Sequence, residues 1–186
     1  LPAFLIVMGI TWVLVVGIRE SAWLTGALAV LNVAILIFFC VVGAFYVEFT
    51  RLLADFPKAA VIWGSDDLGF RSGTMMSPEF LRRKTLPGHA RCAEAAHARG
   101  KPYLLHSCGK IDAIMPDLVD TVRIDGKHSF EDTIQPVTEA KRLYGSRISI
   151  LGGIDVDFLC RADEAGIRKR VRDTLDACLP GGGYVL

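Results

Sequence analysis

Hydrophobic and polar positions divide the chain into two stretches with different patterns. From Leu1 to Val47 the only charged residues are Arg19 and Glu20. Leu1 to Ile18 and Ala22 to Val47 are apolar runs, each near the roughly 20 residues that cross a bilayer core. Arg19-Glu20-Ser21 stands between them as a polar turn, so the pattern predicts a transmembrane-type helical hairpin over residues 1–47. A buried hairpin in a water-soluble core is the alternative, although such helices seldom stay apolar on every face. A secretory leader fits poorly, because no basic segment precedes a single short apolar core.

Beyond Phe49 short apolar strands alternate with amphipathic helices, which predicts a parallel sheet with helical crossovers. Strands are expected at Ala59 to Trp63, Lys101 to His106, Arg123 to Lys127, Arg147 to Leu151 and from Tyr184. Ser77-Pro78-Glu79 reads as a helix start, with Pro87 as a break or kink and Gly100 as the stop. Asp112 to Asp120, Thr133 to Tyr144 and Asp163 to Cys178 read as the remaining helices. No two-residue hairpin signal separates the strands, and parallel pairing follows. A closed eight-stranded barrel takes about 250 residues. Residues 48 to 186 are therefore read as part of one, and the absence of Met at position 1 as the mark of a fragment.

Composition sharpens this picture only in places. With 52% hydrophobic and 22% charged residues the chain is not of the disordered class. A net charge of +1 and the lack of a basic stripe interleaved with aromatics give no case for nucleic acid. Cys40, Cys92, Cys108, Cys160 and Cys178 form neither a short disulfide framework nor a CxxC pair, so the polar part reads as cytoplasmic with reduced thiols. Arg168-Lys169-Arg170 reads as a solvated helix face.

In parallel α/β proteins reactive groups collect beyond the carboxyl ends of the strands. Asp66 and Asp67, His106 and Cys108, His128 and Glu131, and Asp155 all fall at such ends. Zinc accepts imidazole nitrogen and thiolate sulfur, and a catalytic site uses three protein ligands with one open position. His106-Ser107-Cys108 supplies two candidate metal ligands. Taken alone, a buried Cys beside a hydrogen-bonded His is the commoner meaning of such a pair. Asp66, Asp67 and Asp155 are candidates to orient a substrate or transfer a proton, with backbone capping as the alternative. Cys92, Cys160 and Cys178 read as packing residues, as do His89 and His97.

The segments GSDDLGFRSGTMMSPEF, KPYLLHSCGKIDAIMPDLVD, GKHSFED, EAKRLYGSRISILGGIDVDFL and ACLPGGGYVL resemble the uroporphyrinogen decarboxylase superfamily, closest to its branch of cobamide-dependent methyltransferases. The resemblance implies a (β/α)8 barrel of which residues 48–186 hold the later portion. It implies zinc held by a His-x-Cys pair, matched by His106 and Cys108, and by a later Cys expected beyond Leu186. It further implies a small-molecule substrate, a thiol that accepts a methyl group from a corrinoid, and a corrinoid protein as partner. Porphyrinogen decarboxylation is the alternative within the superfamily. Residues 1–47 resemble two helices of amino acid permeases of the amino acid, polyamine and organocation group, with GIRESA as the connecting turn, which implies membrane association. The two resemblances abut at Val47 and Glu48, so the chain reads as two joined fragments: a permease-like hairpin and a truncated barrel without activity of its own. A transporter fragment or membrane-anchored protein is the third reading.

Overall fold

The computed structural model describes residues 2–186; Leu1 and several side chains of the first helix, among them those of Arg19, Glu20, Ser21 and Cys40, lie outside the described residues. The chain forms two compact units, Leu1–Tyr46 and Val47–Leu186.

The first unit is a single helix, α1 (Pro2–Ala44), of 43 residues. The expected hairpin is not formed. Arg and Glu are good helix formers, and Arg19-Glu20-Ser21 contains neither the Pro nor the Gly that would end a helix, so the backbone runs through the polar step. Among the described residues no helix is long and apolar enough to cross a membrane. Membrane association through residues 1–47 thus has no support among the described residues.

In the second unit, α2 (Tyr46–Asp55) buries Thr50 and Ala54. Strand β1 (Ile62–Ser65) follows, then a small antiparallel hairpin of β2 (Gly69–Phe70) and β3 (Gly73–Thr74). The long helix expected from Ser77 is divided into α3 (Pro78–Phe80), a π-helical turn at Leu81–Thr85 and α4 (Leu86–His97). Pro87 lacks an N–H and its ring crowds the carbonyl four residues back, and the wider turn ahead of it relieves both faults. Strand β4 (Tyr103–His106) leads into a 3₁₀ turn at Asp112–Ile114, α5 (Met115–Asp117) with Pro116 in its first turn, and a second π turn, Leu118–Val122. Then come β5 (Gly126–His128), α6 (Val137–Tyr144), β6 (Ser149–Leu151), α7 (Val156–Arg161), α8 (Glu164–Cys178) and β7 (Tyr184–Val185). Helix α6 starts later than expected because Pro136 occupies its cap position.

Strands β1, β4, β5, β6 and β7 form one parallel sheet in that spatial order, each beside its successor. An order without reversal is that of a barrel wall, whereas doubly wound sheets switch direction at their binding crevice. Period-two alternation assigns the faces. Ile62, Tyr103, Leu105 and Ile150 pack into a core with Cys92, Ala96, Ile114, Met115, Leu118, Ala140 and Cys178 from the helices. Trp63, on the opposite face of β1, remains half exposed. Ser65, His106, His128 and Leu151 are register partners across four strands, which brings the carboxyl ends of those strands level.

Candidate functional site

Level strand ends place His106 and His128 side by side, with Nδ1 atoms 2.7 Å apart and ring centroids 4.9 Å apart. Strand pairing ends at His106, yet Cys108 still turns to the same place, with its Sγ 3.4 Å from His106 Nε2. Gly109 explains how. Its φ of 77° is a left-handed conformation, and an added Cβ would lie 2.3 Å from the carbonyl carbon of Gly69. The loop after β4 thus presses backbone to backbone on the loop after β1, and Lys110 N–H donates to the Phe70 carbonyl at 2.8 Å.

That close approach positions Asp67. Its Oδ1 accepts the Cys108 N–H at 3.1 Å and lies 3.8 Å from His106 Nε2. The bond from the Cys108 amide holds the Asp67 carboxyl below the usual carboxylate range, so it is an anion at neutral pH. Asp67, His106 and Cys108 offer one oxygen, one nitrogen and one sulfur, all within 4.8 Å of one another. A tetrahedral zinc ion with bonds of 2.0–2.3 Å sets its ligand atoms about 3.5 Å apart. The 3.4 Å and 3.8 Å separations agree with that spacing, and the donor types suit zinc. The residues present therefore fit a metal, with Asp67 as a third donor within the chain.

The other acids named from the sequence go elsewhere. Asp66 Oδ2 meets His89 Nε2 at 3.1 Å, and His89 Nδ1 meets the hydroxyl of buried Tyr103 at 2.9 Å. Asp66 thereby anchors the start of the loop that carries Asp67. Asp155 caps α7, its Oδ1 accepting the N–H groups of Asp157 and Phe158, while its Oδ2 accepts that of Asp132 at 3.0 Å. These backbone bonds, that of Asp132 foremost, hold the Asp155 carboxyl below its ordinary range. Asp155 does not join the Asp67, His106 and Cys108 cluster, although it lines a cavity of about 640 Å³ with Arg71, Ser129, Glu131, Ile154 and Arg161. Ser129 joins the two places, because its Oγ is 3.4 Å from Cys108 Sγ.

Lys127 went unremarked in the sequence, where a strand lysine reads as surface. It is 2% exposed, and its Nζ donates to the Ser129 carbonyl at 2.7 Å and the Ser107 carbonyl at 3.3 Å, lying 4.1 Å from the centre of the Phe130 ring. Burial draws its pKa down to about 8, opposed by the electrostatic pull of Cys108, Asp112 and Glu131. Burial likewise lowers the pKa of His128, with His106 and Lys127 adding to the effect, so His128 is a neutral imidazole. Among the described residues Cys92, Cys108, Cys160 and Cys178 are all free thiols, of which Cys92 and Cys178 are buried.

The family described as Uroporphyrinogen decarboxylase (URO-D) matches residues 46–186, most of the chain and the whole of the parallel sheet. The chain belongs to the uroporphyrinogen decarboxylase family. The methylated-thiol–coenzyme M methyltransferase of Methanosarcina mazei is 28% identical over 105 residues, covering 56% of this chain and 27% of that protein. The chain thus spans about a quarter of the length of the relative it matches. No solved structure matches it. The family match begins at residue 46, and no match supports the resemblance of residues 1–47 to permease helices. Within the uroporphyrinogen decarboxylase family, then, this chain is similar to a methyltransferase and carries a metal-compatible cluster at its strand ends.

Proposed function

We propose that the second unit is a methyltransferase-like portion of a uroporphyrinogen decarboxylase family enzyme that acts on a thiol through a zinc ion held by Asp67, His106 and Cys108. The observation that carries this reading is the convergence of imidazole, thiol and carboxylate from the ends of β1 and β4, with His106 Nε2 3.4 Å from Cys108 Sγ and 3.8 Å from Asp67 Oδ1. Similarity to a protein named for methyl transfer between thiols supports the reaction class. When bound, zinc would supply Lewis acidity that lowers the pKa of an acceptor thiol.

The chain's own groups supply the setting. Asp67 and a deprotonated Cys108 together bring two negative charges to the ion, and Ser129 Oγ is placed to donate to the Cys108 sulfur. The neighbouring cavity, lined in part by Ser129, offers room for a small acceptor. Its walls combine Phe130, Ile154 and Val156 with the charged Arg71 and Glu131. In the complete enzyme the methyl donor would be a corrinoid carried by a partner protein.

Cobalt(II) titration of the chain, read by the thiolate-to-cobalt charge-transfer band, tests the reading. One equivalent should bind, and binding should fall sharply in Cys108→Ser and by a smaller factor in Asp67→Asn. A chain that takes up no metal overturns the proposal and leaves metal-free decarboxylation as the function.

A further inference from the structure

His106 and His128 are register partners on neighbouring parallel strands, so their side chains leave the same face of the sheet. Two imidazole nitrogens 2.7 Å apart share a single hydrogen: one ring donates and the other accepts. The choice decides what the far nitrogen of His106 can do. If His128 donates, His106 accepts at Nδ1 and carries its proton on Nε2, the atom 3.4 Å from Cys108 Sγ and 3.8 Å from Asp67 Oδ1. That nitrogen then has no lone pair for an ion. If His106 donates, the Nε2 lone pair faces Cys108 and Asp67.

Trp63 lies against the ring of His128, with centroids 5.3 Å apart and planes tilted by 60°. Gly152 stands beside the ring as well, close enough that a Cβ there would meet His128 Cδ2 at 3.4 Å and Nε2 at 3.5 Å. Resting on the metal reading above, we propose that His128 is a positioning residue. It accepts the Nδ1–H of His106 and fixes the tautomer that turns Nε2 toward the cluster. Ligating histidines generally donate their second N–H to a carboxylate, a carbonyl or water. An imidazole in that place orients the ligand without bringing the negative charge of a carboxylate.

Two measurements on the full chain test this. Long-range ¹H–¹⁵N spectra of the four histidines, with zinc, should show His106 protonated at Nδ1 and His128 at Nε2. His128→Phe, which keeps a ring against Trp63 and removes the acceptor, should weaken cobalt(II) binding by about 10–100-fold. His128→Gln, which restores an acceptor oxygen, should recover part of the loss, with thermal melts confirming that each variant folds. A His128 proton on Nδ1 in the zinc-loaded chain, or a folded His128→Phe that binds cobalt(II) as tightly as the wild type, overturns the inference while the metal reading stands; a His106 proton on Nε2 overturns both. No uptake by the wild type overturns both.

Discussion

Burial of Lys127 makes a measurable demand on stability. Its ordinary pKa of 10.5 falls to about 8 in the folded chain, so between those values the unfolded chain binds more protons than the folded one. Stability contributed by this group therefore rises with pH across that window. Integrating the linkage from pH 8 to pH 10 gives a gain of about 2 kcal/mol. Buried Cys92 and Cys178, whose thiol pKa values burial raises, act in the opposite sense from about pH 9 upward. Tyr184, raised to about 12 by burial, does the same above pH 10. The readout is therefore the difference between the wild type and Lys127→Met, followed by urea unfolding and far-ultraviolet circular dichroism from pH 7 to pH 10. Methionine keeps the stem and removes the charge, and it leaves the Ser107 and Ser129 carbonyls without their donor, a cost of about 1–3 kcal/mol. Absolute stability at pH 7 will therefore move little, whereas the rise toward pH 10 should be about 2 kcal/mol smaller in the variant. Parallel pH curves for the two chains would refute the assignment of a depressed pKa to Lys127.

Gly64→Ala should destabilise the fold by about 1–3 kcal/mol, because an added Cβ would sit 2.2 Å from Tyr103 Oη and 2.7 Å from its Cζ. Tyr103→Phe in the same chain should restore only part of the loss in urea melts, since the ring carbon remains too close. Gly109→Ala meets both a left-handed φ and the backbone of Gly69, so cobalt(II) uptake should be lost even where circular dichroism still shows a folded chain. Asp155→Ala removes the α7 cap and the tie to Asp132 and should cost about 1–2 kcal/mol. Cobalt(II) affinity in that variant should stay within twofold of the wild type, because Asp155 is not among the three clustered donors.

Parallel pairing and the meeting of chemistry at the strand ends were legible in the sequence, because apolar strands joined by helical crossovers leave little choice of pairing. His106 and Cys108 were legible as a pair for the same reason. Asp67 as their third neighbour was not, since the contact depends on Gly69 and Gly109 meeting backbone to backbone across 40 residues, and neither glycine announces its partner. The facing of His106 and His128 required the register of β4 against β5, which hydrophobic pattern does not specify within a residue. Lys127 was missed because its burial is offset by two carbonyls and an aromatic face at the strand end, none of them local in pattern. The α1 hairpin was misjudged because a charged step in an apolar run was given the weight of a helix breaker, although its residues are helix formers.

Ser129 holds a φ of 84°, a conformation that glycine or asparagine adopts at less cost. A stability-guided redesign of this protein would choose Ser129→Gly early and would gain foldability from it. The same exchange would delete a hydroxyl 3.4 Å from Cys108 Sγ and leave the sulfur's surroundings less polar. Position 129 is thus where backbone strain and contact with the Cys108 sulfur meet on a single side chain.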